Sequence, residues 1–159
     1  NKIFKEIIEN KKLETWNFQV LSEKWKQLKT IDWTVFKTNS KWDIWEIEIN
    51  WEKEQFFTFE AALRESLKLW KKIPSKEDWE YFLKTYKNNP EKIIKKLNLS
   101  FAGFRNSIDE KFYWKNVFWF YWSSTQIDDK YAYALQFFNK EVSLNSYPIM
   151  NARLVKCFE

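Results

Sequence analysis

The sequence predicts a single α+β domain, with helices first and an antiparallel sheet after them. Three observations carry that expectation. Residues 59–69 and 75–86 place apolar side chains at helical spacing behind N-capping residues. Residues 44–57 alternate isoleucine with glutamate, turn, and end in Phe56-Phe57, the pattern of a hairpin. From Leu99 onward, aspartate and asparagine turns separate short aromatic strands. At 159 residues the chain can bury one core. Residues 1–40 are expected to form an N-terminal extension or linker, and residues 41–159 the domain.

In chain order, residues 1–14 are rich in lysine and glutamate, with Phe4, Ile7 and Ile8 at helical spacing, and read as a short helix or tether. Residues 15–40 alternate weakly, as in Phe18-Gln-Val-Leu21 and Trp33-Thr-Val-Phe36, and read as short strands or an extended arm. The 44–57 hairpin follows. Thr58 then caps a helix whose stripe is Phe59, Ala62, Leu63, Leu67 and Leu69. Pro74-Ser75 opens a second helix. Ser75 and Asp78 fit a capping box, and Trp79, Phe82, Leu83 and Tyr86 share one face. Asn88-Asn-Pro90 stops it, and residues 91–97 add a further turn or two. Strands are expected over 117–123, 131–138, 141–145 and 152–158.

Composition narrows function. The net charge of +5 comes from 27 basic and 22 acidic residues, with lysine spread along the chain. Such a surface is solvated and lacks the clustering that attracts phosphate, so no nucleic-acid partner is expected. There is no histidine, which removes the commonest general base and metal ligand. The single cysteine, Cys157, lies in an apolar setting with Leu154, Val155 and Phe158 and reads as a structural thiol. Asp128-Asp129 reads as a turn and Glu77-Asp78 as a helix N-terminus, so neither pair suggests acid–base catalysis. No apolar run reaches the roughly 18 residues of a membrane span, and no membrane insertion by this segment is expected. The chain begins at Asn1, which reads as a piece of a longer protein whose export signal lies upstream or is lacking.

The oddest feature is one glycine beside eleven tryptophans. An ordinary domain of this size holds roughly 11 glycines. Trp51 follows Asn50 where a hairpin would place glycine, and Trp70 follows Leu69 where a helix would end on one. Trp16, Trp25, Trp33, Trp42 and Trp45 lie in polar surroundings. These positions suggest a gene that uses UGA for glycine, as some reduced-genome bacteria do, translated here with UGA as tryptophan. Restoring nine, all but Trp79 and Trp122, brings glycine to an ordinary level. The alternative is a truly tryptophan-rich binding surface.

Four blocks then carry a resemblance: Trp70-Lys-Lys-Ile-Pro-Ser-Lys-Glu-Asp-Trp79, Gly103-Phe-Arg105, Trp119-Phe-Tyr-Trp-Ser-Ser-Thr125 and Leu154-Val-Lys-Cys157. In this order they resemble the bacterial family named for the Fibrobacter succinogenes major paralogous domain, over roughly residues 55–158. Family glycines align with Trp70 and Trp119, and Lys71 replaces the family's usual tryptophan. The resemblance implies a C-type-lectin-like fold, with two main helices packed on a small antiparallel sheet with long loops. A similar fold carries formylglycine-generating enzymes, which need a cysteine pair that this chain does not have. The calcium-dependent sugar signatures Glu-Pro-Asn, Gln-Pro-Asp and Trp-Asn-Asp are also missing, so neither cofactor nor metal is expected.

The function expected is therefore a non-catalytic binding module of a surface or secreted bacterial protein, recognising a protein or glycan ligand on a surface. Loops on a rigid scaffold are where recognition sits, and tyrosine with asparagine suits it. The candidate contacts are Arg105, Asn106, Tyr113, Lys115, Asn116, Tyr121, Asn139, Asn145, Tyr147 and Asn151. Tyr113 and Tyr121 are open to the alternative of packing inward. Trp122-Ser123-Ser124 reads as structural, with hydroxyls satisfying backbone at a strand end. Two alternatives stand beside this one. In the first, a diversity-generating retroelement varies the asparagine-rich C-terminal loops. In the second, the domain is a structural module of a larger surface protein.

Overall fold

The computed structural model describes residues 20, 24–29, 34–49, 51–97, 103–113 and 118–155. It corrects the expected fold class. Among the described residues the chain is mostly β, with three antiparallel sheets of four, two and three strands and three short helices. This is not two main helices packed on a small sheet.

The first sheet runs β1 (Lys26–Lys29), β2 (Val35–Thr38), β3 (Ile44–Ile49) and β4 (Glu52–Phe57), each strand antiparallel to the next. Its β3–β4 half is the expected hairpin, with Ile44 opposite Phe57 and Ile49 opposite Glu52. The other half explains the correction. β1 and β2 fall in the stretch read as an extension, yet Thr38 pairs with Trp45 and Lys26 with Thr38. Even Val20 is tied in, its N–H donating to Gln55 Oε1 at 2.7 Å and its carbonyl accepting from Gln55 Nε2 at 2.8 Å.

The helices begin at their sequence signals, although Leu67 and Leu69 of the expected first stripe are exposed and Ala61 and Ser66 are buried instead. Thr58 Oγ1 accepts from Ala61 N at 3.3 Å to open α1 (Phe59–Lys68). Ser75 opens α2 (Lys76–Thr85) with the full capping box. Its hydroxyl accepts from Asp78 N at 3.1 Å, while Asp78 Oδ2 accepts from Ser75 N at 2.9 Å. Pro90 begins α3 (Pro90–Leu97), behind Asn89, whose Oδ1 accepts from Lys92 N. Ser75→Ala removes one half of a reciprocal pair beside the buried Asp78. It is expected to cost about 1–2 kcal/mol, read as a Tm lowered by about 2–8 °C in a thermal melt.

The second sheet is the short pair β5 (Phe104–Arg105) and β6 (Phe112–Tyr113). The third is β7 (Phe118–Gln126), β8 (Tyr131–Phe138) and β9 (Glu141–Pro148). Register between β8 and β9 is continuous from Tyr131↔Pro148 to Phe138↔Glu141. β7 breaks register between Trp122 and Gln126. There Ser123 Oγ donates to Tyr133 O at 2.7 Å and accepts from Thr125 N at 3.1 Å, the structural role its position suggested. The same corner docks on α2. Ser124 N donates to Pro74 O, and Thr125 Oγ1 accepts from Lys76 N, both at 2.9 Å.

Both faces of the third sheet are covered at β7. Tyr121 joins Trp79 and Phe82 of α2, with Leu135 and Phe137, in one buried cluster. Trp122 joins Phe57, with Phe59, Ala61 and Ala62 of α1, in the other.

Of the strand expected at 152–158, the described residues take another form, and 156–158 lie outside the described residues. Ala152, Arg153 and Leu154 each make a bridge to a different sheet: Ala152 to Arg105, Arg153 to Phe57 and Leu154 to Tyr121. The backbone bonds there are 2.8–3.2 Å long. Three residues thus form the seam that joins all three sheets. Residues 1–14 and Cys157 lie outside the described residues.

Candidate functional site: an aromatic band over a buried arginine

The seam fixes the middle residue, Arg153, with its side chain 1% exposed. Neither Nε nor Nη1 finds a hydrogen-bond acceptor among the described residues. The guanidinium carbon lies instead over four rings: Phe120 at 4.0 Å, Tyr147 at 4.4 Å, Phe104 at 5.1 Å and Trp122 at 5.2 Å. A desolvated cation gains substantially from ring faces, which offsets part of its burial cost. Burial still pushes this guanidinium down from its ordinary value to about 9.

The rings around Arg153 continue into a band that reaches the surface. Tyr113 of β6 stacks on Phe104 of β5 at 5.2 Å. Phe104 meets Phe120 of β7 edge-on at 4.9 Å, and Phe120 meets Tyr147 of β9 edge-on at 4.9 Å. Tyr113, 39% exposed, forms one end. At the other end, Tyr147 is half-buried, and its hydroxyl donates to Gln136 Oε1. Burial raises the Tyr147 phenol above its ordinary value. Exposed Asn145 donates through Nδ2 to Ser143 Oγ at 3.0 Å and to Gln136 Oε1 at 3.4 Å. The β-strand period explains the grouping. Asn145 and Tyr147 fall on the same side of β9, opposite the buried Ala134 and Ala132.

The other residues singled out from sequence divide into four groups. Arg105 and Asn106 sit at the β5–β6 hairpin close to the band. Half-buried Arg105 lays its guanidinium 4.1 Å from the Trp45 ring, and burial lowers its pKa. Asn106 Oδ1 accepts from Ile108 N at 2.8 Å and Asp109 N at 3.4 Å, and Asn151 Oδ1 accepts from Ser107 N and Oγ at 2.9 Å. These amides shape the loop. Tyr113 itself donates to Asp109, an exposed contact that holds the carboxylate below its ordinary range and the phenol above.

Tyr121 is a correction. It is fully buried, because β7 is covered on both faces and its side chain joins the α2 cluster. It cannot belong to an exposed face. Asn139 lies elsewhere, at positive φ in the two-residue β8–β9 turn. That turn lines a groove of about 820 Å³ with Lys87, Asn89, Ile94 and Phe137. Lys115 and Asn116 lie outside the described residues.

Sequence reasoning missed Arg153, Phe104, Phe120 and Gln136 as a unit. A signal existed: Arg153 is the one charge within Ala152-Arg-Leu-Val155, and Phe120 shares the strand period of Trp122. Among the described residues, no three or more histidine, cysteine, aspartate or glutamate side chains group where they could hold a metal. No helix there is long and apolar enough to cross a membrane. Compared with protein-family models, with curated proteins and with solved structures, the chain matches none.

Proposed function

We propose that this chain is a non-catalytic ligand-binding module of a surface or secreted protein, and that it recognises a protein or glycan through the Tyr113–Tyr147 band and the amides beside it. One observation carries the reading. Tyrosines from two different sheets are joined through Phe104 and Phe120 into one strip, with exposed Asn145 at its end. Rigid aromatic area supplies contact at low entropic cost, and neighbouring amides supply adaptable hydrogen bonds. The strip rests on Arg153 and on the seam of three sheets, so it is preorganised, which lowers the cost of binding. The motif resemblance favours the same function, and a chain without histidine favours recognition over catalysis.

The test is to select binders for the intact chain from an oligosaccharide array and a displayed peptide library, then titrate them against variants. Tyr113→Ala and Asn145→Ala change exposed side chains and are expected to keep the fold. Each is expected to weaken a selected ligand about tenfold or more, the range of a binding hot spot. Unchanged affinity in both variants would place the ligand on another face.

A further inference from the structure

Three tryptophans occupy backbone positions that suit glycine, each in a different motif. Trp42 (φ 55) closes the turn begun at Asn39, its N–H donating to Asn39 O at 3.2 Å between β2 and β3. Trp51 (φ 69) is the second residue of the two-residue loop between Ile49 and Glu52, the glycine of an Asn-Gly hairpin. Trp70 (φ 55) follows the C-cap Leu69 of α1. There Trp70 N donates to Leu67 O at 3.2 Å and Lys71 N to Ser66 O at 3.0 Å. That pair of bonds is a Schellman motif, with Trp70 at its left-handed position.

Positive φ for a bulky side chain is a real outlier, because Cβ crowds the backbone carbonyl. These tryptophans recover little in exchange. Their side chains are 51%, 94% and 92% exposed, and the Trp42 ring has Lys26 Nζ at a loose 5.9 Å. Asn88 and Asn139 also take positive φ, where their short polar side chains can bond locally, and Lys87, Glu110 and Lys140 carry the same Cβ cost in exposed turns. An exposed indole gains nothing comparable.

Trp45, Trp79 and Trp122 differ. Each has its ring buried, none has positive φ, and Trp45 carries Arg105 on its face. The buried Trp45 thereby leaves the set of nine suspected from sequence. Trp25, half-buried against the second cluster, plays no part here.

We infer that Trp42, Trp51 and Trp70 are glycine in the protein as its own cell makes it, encoded by UGA read as glycine, and that Trp45, Trp79 and Trp122 are true tryptophans. The protein's turns are then built from ordinary glycine chemistry, and its surface loses three large apolar side chains that a soluble partner-binding face does not use.

Two readouts test this. Peptide mass spectrometry of the chain purified from its native cell, with the gene sequence beside it, is expected to find glycine and UGA at 42, 51 and 70, and tryptophan and UGG at 45, 79 and 122. Tryptophan in native peptides at any of the first three overturns the inference for that position. Independently, Trp42→Gly, Trp51→Gly and Trp70→Gly in the recombinant chain are each expected to raise Tm by about 1–4 °C. The relief of left-handed strain exceeds the entropy that glycine adds to the unfolded chain. Trp45→Gly is expected to lower Tm by more than about 5 °C, since it empties a core position. If the first three variants melt no higher than the parent, the strain on which the inference stands is not there.

Discussion

Arg153→Ala is expected to lose about 3–5 kcal/mol of folding stability, while Arg153→Met is expected to match the parent or exceed it. The contrast follows from what the side chain does. Its stem and guanidinium fill the space between Phe104, Phe120, Trp122 and Tyr147, at the point where the three sheets meet. Truncation to alanine leaves a hole there, and a core hole on this scale costs what a large-to-small core substitution costs. Methionine keeps the unbranched stem and most of the volume, and it removes a buried charge whose Nε and Nη1 have no acceptor among the described residues. Replacing buried charge by a well-packed apolar side chain is often neutral or stabilising by about 1–4 kcal/mol. The ring contacts, worth about 2 kcal/mol or more when desolvated, work against that gain. Urea denaturation of the three chains decides the matter. A methionine variant as weak as the alanine variant would mean that the ring contacts outweigh the desolvation.

The same residue gives a pH dependence with a definite sign. Burial holds the folded guanidinium at about 9, well below the ordinary group. Below about 9 the proton is bound in both states, and the burial penalty is fully present. Above it the folded chain releases the proton first, so the unfolded state binds more protons and stability rises with pH. The advantage of the methionine variant is therefore expected to shrink as pH climbs above about 9.

Local signals in this chain were legible where one short stretch decides the outcome. Thr58 and Ser75 announced their helices because capping is a bond between residues three apart. Tyr131–Phe138 announced its strand because alternation held for its whole length. Membership of a sheet is a different kind of fact. Lys-Gln-Leu-Lys of β1 and Val-Phe-Lys-Thr of β2 have little pattern of their own. Only pairing, β1 with β2 and β2 with β3, makes them strands, which is why a β-rich fold read as helices on a small sheet.

The site shows the same division. Tyr113, Tyr147 and Asn145 stood out by residue type, whereas Tyr121 was indistinguishable from them in a run of aromatics. When both faces of a strand are covered, the alternation that would sort inward from outward disappears. Arg153 was hidden for the opposite reason: a lone charge reads as surface until its ring partners, from three separate strands of the chain, are known to converge.

Trp122 offers the second large effect, because it joins the first sheet to the third. Its indole N–H donates to Phe57 O at 2.8 Å, its ring meets Phe59 edge-on at 5.5 Å, and its other contacts reach Arg153. Trp122→Ala is expected to cost about 3–5 kcal/mol, enough to unfold a marginal domain. Trp122→Phe keeps most of the packing and gives up one buried hydrogen bond and part of the ring, and is expected to cost about 1–3 kcal/mol. Phe57 O is not orphaned by either change, since Arg153 N also donates to it at 2.9 Å. The phenylalanine variant therefore isolates the indole. Equilibrium denaturation followed at two wavelengths, one for helix and one for the aromatic core, is expected to show a single lowered transition. A split into two transitions would mean that Trp122 is the coupling between α1 with the first sheet and the remainder, rather than one contact among many in a cooperative core.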